Sequence, residues 1–431
     1  MKFGVLTLPN NSNKLLIYGL IAWIMFEDLM IDTLGAPSVI RYFNDTVVLL
    51  LLVTGLMNVN RILQVFREIR YRNVLLIMLL YMVYTLFGSM INGVPMLQVL
   101  WAIRNNYRFL AFFILCVYAL DSRDLERLLR WLCQLQWVNL ALGLFEFFVL
   151  HQKRDYLGGM FGTAKGGNAS LNVYLCFVMT YVVLQYIYKQ KSFCYLLLSL
   201  TATMVLAGLA ELKVIFVEIV LIVILVLLLV GRKKQVVAVL GISLVALAIG
   251  LMILKQLFPD HFALFTNFSG LLEYGTREDG GYSLSRFRAF SNINRLFFKG
   301  SVLRNAFGFG FGNCEYSAYN FLTSNFYRQF GGYNYRWFAH QMMFLETGYV
   351  GFILYIAILG GILFSAWESK KRNPSTVLWN NVVLIMGVIT IINLWYNASI
   401  RSEIAYLTYF ALSVGAIVDK KMDNKKRGLI V

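Results

Sequence analysis

The sequence predicts an all-α protein that crosses a membrane many times, and three observations support this prediction. The 431 residues are 59% hydrophobic and 14% charged, whereas an ordinary soluble domain is about a quarter charged. The apolar residues gather in runs of about 17–25, the length that an α-helix needs to cross a bilayer. Short clusters of Lys and Arg stand between those runs, as in polytopic membrane proteins. We therefore expect a single transmembrane domain over residues 1–431 rather than a soluble protein.

The apolar runs predict about twelve transmembrane helices. Their approximate bounds are 14–31, 43–59, 73–91, 100–120, 130–150, 168–188, 193–210, 213–230, 235–257, 341–367, 376–396 and 402–418. Only residues 208–213 separate the seventh run from the eighth. The first run ends in Glu27 and Asp28 rather than at a small-residue cleavage site, so we expect it to remain as a span.

The basic clusters assign the two sides of the membrane. With twelve spans, they fall on every even-numbered connection and on both termini. The clusters are Lys2 and Lys14, Arg61 to Arg72, Arg123 to Arg130, Lys189 and Lys191, Arg232 to Lys234, Lys370 to Arg372, and Lys420 to Arg427. Because cytoplasmic loops carry an excess of Lys and Arg, we expect both termini in the cytoplasm. Most of the net charge of +17 follows from these clusters, and we predict no nucleic-acid partner.

Residues 258–340 form a long polar segment between the predicted ninth and tenth spans. We expect it to be a large extracytoplasmic, partly helical loop, and loops of this length usually carry function. Apolar residues at helical spacing predict an amphipathic helix over 285–298. This apolar stripe consists of Leu284, Phe287, Phe290, Ile293 and Phe297. The five cysteines show neither a disulfide framework nor metal-ligand spacing, so we predict no metal site.

Two arginines and a histidine of this segment are candidates for chemistry. Arg286 or Arg288 would grip a phosphate group with its planar guanidinium, and the alternative is contact with lipid headgroups. His340, one of three histidines, stands where the chain re-enters the membrane. This position and the chemistry of imidazole suit a proton acceptor, and the alternative is a structural role. We expect Glu346 to provide packing or hydrogen-bonding support.

Four more charged residues lie near the outer surface of the membrane. Arg104 and Arg108 share a helical face in the outer half of the fourth span. They either bind substrate or extend to headgroups. Glu211 and Lys213 lie at the tight outward turn between the seventh and eighth spans. They either pair with each other, or the lysine meets an anionic ligand.

The glycines at 308, 310 and 312 have the spacing of part of a dinucleotide fingerprint. That motif requires a preceding strand and a βαβ unit, and the sequence predicts neither. We predict instead a tight turn at which the backbone approaches a neighbouring element closely.

Several of these features together resemble the core of the O-antigen polymerase and O-antigen ligase family. They are Arg286, Phe290, the Gly308–Gly312 turn, and His340 with the following FLETGYVGF at 344–352. Residues 161–172, FGTAKGGNASLN, resemble the Gly-Asn segment that opens a middle span in the same family. Members are polytopic bacterial membrane glycosyltransferases with one large extracytoplasmic loop late in the chain. One departure is that many members carry a Ser-Arg pair after a mid-chain outward turn, where this chain has Glu211-Leu212-Lys213.

The resemblance implies glycosyl transfer at the outer face of the bacterial cytoplasmic membrane, from a polyprenyl-pyrophosphate-linked glycan to a lipid-linked acceptor sugar. Arg286 and Lys213 would hold the diphosphate and stabilise its developing charge. His340 would take the proton of the attacking hydroxyl. The substrate-binding residues would be Arg288, Arg104, Arg108, Glu211, Asn168 and Tyr335. Because pyrophosphate is a good leaving group, the resemblance implies no cofactor, no ATP and no metal.

Three functions remain open at this point. The first is a polymerase of repeat units for O-antigen, capsule or exopolysaccharide, and the second is a ligase that moves the finished glycan to a lipid core acceptor. The third, from a different class, is an exporter of polysaccharide or lipid-linked sugar. The single large loop and the lack of an internal repeat argue against the exporter. Besides the lipid-linked oligosaccharide and membrane lipid, the resemblance suggests a chain-length regulator and a flippase as partners.

Overall fold

The computed structural model describes residues 10–231, 234–259, 276 and 283–426. Within these residues all of the regular secondary structure is helical, and there are no strands. The helices are α1 Asn10–Ile24, α2 Tyr42–Met57, α3 Val59–Glu68, α4 Arg72–Ile91, α5 Met96–Ala119, α6 Ser122–Phe148, α7 Gly167–Ile187, α8 Phe193–Leu209, α9 Lys213–Val230, α10 Lys234–Leu257, α11 Ala289–Ile293, α12 Val302–Phe307, α13 Asn325–Phe330, α14 Ala339–Arg372, α15 Val377–Tyr396 and α16 Ala405–Lys426.

A long helix overlaps each of the twelve predicted apolar runs. Among the described residues, seven helical segments are long and apolar enough to cross a membrane: 38–57, 72–91, 167–187, 213–230, 234–257, 339–372 and 374–396. Two further apolar helices, α1 and α8, are shorter. The architecture is therefore consistent with the polytopic membrane protein that the sequence predicts. The number of spans in a membrane stays a prediction, as do the bounds of the single domain.

Polar contacts gather at both ends of the helix bundle. At one end, Lys14 Nζ lies 2.6 Å from carboxylate oxygens of both Asp121 and Asp124. At this same end Lys420 Nζ donates to three backbone carbonyls that follow the end of α5 or belong to its last turn. The other end holds Arg104, Arg108, Arg401 and their carboxylate partners. The first end carries the predicted cytoplasmic residues, and the second carries the predicted extracytoplasmic ones.

The polar segment before α14 has an apolar core of its own. Its buried members are Leu284, Ile293, Phe297, Phe298, Cys314, Phe326, Tyr335, Met342, Phe344 and Leu345. Of the predicted amphipathic helix over 285–298, residues 289–298 are helical, as α11 and a π-helical turn, Asn294–Phe298, and residues 285–288 are not. Phe287 is 62% exposed, so it does not belong to the buried part of the predicted stripe. Residues 260–275 and 277–282 of the predicted loop lie outside the described residues.

The glycine-rich turn lies against the interior of the bundle, as the sequence predicts. Gly308, Gly310 and Gly312 have φ angles of +64°, +91° and +98°, which L-amino acids with a side chain rarely adopt. A Cβ on Gly308 would lie 2.5 Å from the backbone of Glu346. The Glu346 carboxylate in turn accepts hydrogen bonds from the N–H groups of Gly312 (3.0 Å) and Cys314 (3.1 Å). Glu346 therefore has the supporting role that we expect from the sequence.

Candidate functional site

His340 is the second residue of α14, and its ring is fully buried. Its Nδ1 lies 3.0 Å from the carbonyl oxygen of Leu394, in the last turn of α15. Its Nε2 lies 3.0 Å from the carbonyl oxygen of Arg286. The Trp395 ring stacks on the imidazole with ring centres 5.5 Å apart. Both ring nitrogens thus have backbone partners in this structure.

The neighbouring residue, Gln341, contacts the same stretch of chain. Its Nε2 donates to the carbonyl oxygen of Ser285 at 2.8 Å. Ser285 has a φ of +57°, an unusual conformation for a residue with a side chain that the surrounding contacts must hold in place. The side chains of His340 and Gln341 therefore attach residues 285–286 to the start of α14.

The Arg286 guanidinium lies against two aromatic rings. Its central carbon is 4.7 Å from the ring centre of Phe338 and 5.0 Å from that of Tyr396. Aromatic faces attract the cation electrostatically. The two rings thus help to fix the position of the Arg286 guanidinium. The structure brings these two predicted residues together.

Lys213 and Glu211 form the local ion pair that was one of the two alternatives from the sequence. The Lys213 Nζ is 3.0 Å from Glu211 Oε1, and Arg154 Nε is 3.2 Å from Glu211 Oε2. Glu211 has a φ of +55°, as the tight turn between α8 and α9 requires. Two cations therefore flank one carboxylate at this turn.

A buried polar contact joins α9, the helix of Lys213, to α15, the helix of Leu394. Glu218 of α9 accepts a hydrogen bond from Asn172 of α7 at 2.8 Å, and Asn393 of α15 lies beside the same carboxylate. Asn393 directly precedes Leu394, the partner of His340. Five helical residues rise about 7.5 Å, so Lys213 lies nearer than this contact to the end of α9 that begins at Lys213. The helix of Lys213 thus packs against α15, the helix whose Leu394 carbonyl contacts His340.

Three other predicted substrate-binding residues lie in different surroundings. Arg288 is exposed and precedes α11. Asn168 is half-buried at the start of α7, where its Nδ2 donates to Asp155 Oδ1 at 3.0 Å. Tyr335 is fully buried, and its hydroxyl donates to the carbonyl of Cys314 at 2.9 Å. In this structure Tyr335 packs inside the apolar core of the loop, and its ring is not available to a sugar.

Arg104 and Arg108 have carboxylate partners within the bundle. Arg104 binds Asp45 with two nitrogens, at 3.0 and 2.6 Å. Arg108, only 6% exposed, binds Asp45 at 3.2 Å and Glu403 at 2.6 Å. Neither side chain extends to headgroups in the way that the sequence offered as an alternative. Their charges are compensated by residues from α2 and from the connection before α16.

The same network continues to Glu27, which lies in the first predicted span but beyond the end of α1 at Ile24. Asn44 Nδ2 donates to Glu403 Oε2 at 3.0 Å and also to Glu27. Burial, and secondarily the charge of Glu403, raises the pKa of Glu27 to about 8. Burial thus favours the neutral form of Glu27, which reduces the cost of placing it beside a second carboxylate.

Sequence reasoning missed the partners that hold these residues. Examples are Gln341 and the buried Arg401–Glu315 pair, to which Asn105 adds a 3.2 Å hydrogen bond. Adjacent residues of a helix point in different directions, so no sequence spacing indicates that His340 and Gln341 bind consecutive carbonyls. Glu315 and Arg401 are 86 residues apart, and only the fold brings them together.

No group of three or more His, Cys, Asp or Glu side chains suited to a metal ion occurs among the described residues. The predicted absence of a metal site stays a prediction. Comparison of the chain with protein-family models and with curated proteins gives no match. A functional assignment therefore depends on the residues and their geometry.

Proposed function

We propose that this protein is a polymerase of surface-polysaccharide repeat units that uses a polyprenyl-pyrophosphate-linked donor at the outer face of the bacterial cytoplasmic membrane. The observation that carries the proposal is the position of Arg286, whose backbone is attached to buried His340 at one end of a helix bundle. The rings of Phe338 and Tyr396 hold its guanidinium at this end of the bundle. The motif resemblance to the O-antigen polymerase and ligase family gives the substrate class.

In the proposed reaction, an acceptor hydroxyl attacks the anomeric carbon of the donor sugar. The bond from that carbon to the diphosphate oxygen breaks, a glycosidic C–O bond forms, and the hydroxyl proton passes to an oxygen of the departing diphosphate. Negative charge grows on the departing diphosphate. Arg286 and Lys213 would stabilise that charge, and the guanidinium edge suits two phosphate oxygens at once. The conversion of an arginine to Lys213, relative to many family members, keeps the charge but loses the planar donor geometry.

The test is the surface glycan made by cells that carry Arg286→Ala or Lys213→Ala in place of the wild-type protein. We expect either variant to lower the polymerisation rate by about 100-fold or more, the usual effect of removing one group that stabilises developing charge. The matched control is Arg295→Ala, because Arg295 is an exposed arginine of the same segment. Full-length polysaccharide from both variants, each shown to be present in the membrane, would contradict the proposal.

The same experiment separates the polymerase from the ligase. Loss of a polymerase leaves single repeat units on the acceptor, whereas loss of a ligase leaves long chains on the carrier lipid. Long chains on the carrier lipid in the variant cells would replace the polymerase proposal with the ligase. An exporter predicts a third outcome, in which lipid-linked material accumulates at the cytoplasmic face.

A further inference from the structure

We propose that His340 is a positioning residue, which holds the backbone of Arg286 so that its guanidinium meets the diphosphate, rather than the group that accepts the proton. This inference rests on the proposed function, because it concerns how the same site binds its donor. It differs from the role that the sequence suggests for His340, and it follows from the contacts of the ring.

The first argument is a count of donors and acceptors on the imidazole. A carbonyl oxygen only accepts hydrogen bonds, and both ring nitrogens lie 3.0 Å from one. A neutral imidazole has one N–H, so its remaining lone pair would face a carbonyl oxygen; a protonated imidazole has no lone pair. In neither state does a ring nitrogen present a lone pair to a substrate hydroxyl. The complete burial of the ring fits the same conclusion.

The second argument is that three consecutive carbonyls are bound by side chains at this point. Asn292 Nδ2 donates to the carbonyl of Leu284 at 3.3 Å, and Gln341 Nε2 donates to that of Ser285 at 2.8 Å. The carbonyl of Arg286 is the third, bound by His340 at 3.0 Å. Irregular backbone normally has freedom that these bonds remove. The result is a fixed starting point for the Arg286 side chain.

The third argument is that the same imidazole also fixes one of the rings against which Arg286 lies. Its Nδ1 lies 3.0 Å from the carbonyl oxygen of Leu394, two residues before Tyr396, and the Tyr396 ring contacts the guanidinium. Both the backbone of Arg286 and the end of α15 thus contact one side chain. Preorganised donors of this kind are worth more in binding and catalysis than mobile ones.

The test compares three substitutions in purified protein reconstituted in nanodiscs, with undecaprenyl diphosphate as the binding probe. His340→Ala removes both ring-nitrogen contacts with the carbonyls, whereas His340→Gln keeps an amide N–H for a carbonyl but has no group that titrates. Gln341→Met removes the neighbouring hydrogen bond to the Ser285 carbonyl, and an amide side chain does not act as a base. We expect His340→Ala and Gln341→Met to weaken binding of the probe by about tenfold or more, and His340→Gln to weaken it by less.

Kinetics give a readout that a proton acceptor and a positioning residue affect differently. We expect His340→Gln to transfer glycan with the pH–rate profile of the wild-type protein, at a rate reduced by no more than about tenfold. We also expect Arg286→Ala and the double variant Arg286→Ala/His340→Ala to be equally slow, because His340 acts through Arg286. The thermal unfolding temperature of each variant serves as the control for folding.

Two results would overturn the inference. The first is that the His340→Ala and His340→Gln proteins bind undecaprenyl diphosphate as tightly as wild type but are equally inactive, and that added imidazole restores their activity. The other is unchanged probe binding by Gln341→Met, which decides the question even if the His340 variants do not fold. Failure of the proposed function itself is recognised earlier, because the wild-type protein would then neither bind the probe nor transfer glycan.

Discussion

Charged side chains near the ends of membrane helices fall into two kinds here, and their partners distinguish them. Arg104 and Arg108 are bound to carboxylates of Asp45 and Glu403, so their charges serve to hold α2, α5 and α16 together. Removing one partner of such a pair leaves a buried charge without compensation. The contacts of Arg286 include the rings of Phe338 and Tyr396. The carboxylate pairs of Arg104 and Arg108 therefore support a structural role for these two arginines.

The carboxyl group of Glu27 makes the stability of the folded protein depend on pH. Its pKa of about 8 in the fold is above that of an unfolded glutamate, about 4.3. Between these values the folded state keeps a proton that the unfolded state releases, so stability falls as pH rises from about 4.5 to 8. We expect Glu27→Gln to remove this contribution, because glutamine still accepts the hydrogen bond from Asn44.

The measurement is the thermal unfolding midpoint of the wild-type and Glu27→Gln proteins in one detergent, at several values of pH between 5 and 8. One such group changes the free energy of unfolding by at most about 1.4 kcal/mol per pH unit. We expect the variant to gain stability relative to wild type at pH 8 and to match it near pH 5. Parallel curves for the two proteins would show that Glu27 does not titrate in this range.

At the scale of elements, the long helix α14 and the glycine-rich turn form a single unit. Gly348 interrupts α14 with φ +62° and ψ −165°, and its Cα faces the backbone of α12 just before the glycine-rich turn. A Cβ at Gly348 would lie 2.2 Å from the carbonyl oxygen of Ala306 and 2.5 Å from that of Asn305. Tyr84 of α4 donates its hydroxyl proton to the Ala306 carbonyl. The break in α14 thus creates the space into which the loop inserts.

We expect Gly348→Ala to destabilise the protein by about 3 kcal/mol or more, because it combines an unfavourable φ with a collision against backbone atoms. The matched control is Gly360→Ala in the same helix, where a Cβ meets nothing within 4 Å. Alanine there raises helix propensity by up to about 1 kcal/mol. Thermal unfolding of both variants in one detergent measures the difference. An unchanged unfolding temperature for Gly348→Ala would show that the kink is not required.

At the scale of the whole molecule, the distribution of charge predicts which end of the bundle faces outward. Four of the five cysteines are buried and only Cys194 is exposed, so Cys194→Ser provides a background in which introduced cysteines dominate labelling. Asn320 is exposed in the polar segment, and Gln190 is exposed in the turn between α7 and α8. These two positions are predicted to lie on opposite sides of the membrane.

We expect Asn320→Cys to react with a membrane-impermeant maleimide in intact spheroplasts. Gln190→Cys should react only after the membrane is permeabilised, because the basic residues Lys189 and Lys191 place it in the cytoplasm. Labelling in the reverse pattern would put the proposed site on the cytoplasmic side. That result would contradict transfer at the outer face.

The sequence alone determined the helical class, the approximate positions of the helices and the close backbone approach at Gly308–Gly312. These are local properties. A segment that crosses a bilayer as a helix needs about 20 apolar residues, and a backbone with positive φ favours glycine. It also identified Arg286 and His340 as residues of interest. It placed Tyr335 among the substrate-binding residues because an aromatic residue in a polar loop gives no sign of burial.

The tertiary structure alone decided the partners. His340 binds two carbonyls that are each 54 residues away, and Arg108 binds Glu403 across 295 residues. These hydrogen bonds form only where α5, α14, α15 and α16 pack closely together. No periodicity in the sequence indicates that packing. For the same reason the role of His340 changes from an expected proton acceptor to a proposed support for Arg286: its residue type suggests chemistry, but only the positions of two distant carbonyl oxygens show where its ring nitrogens are used.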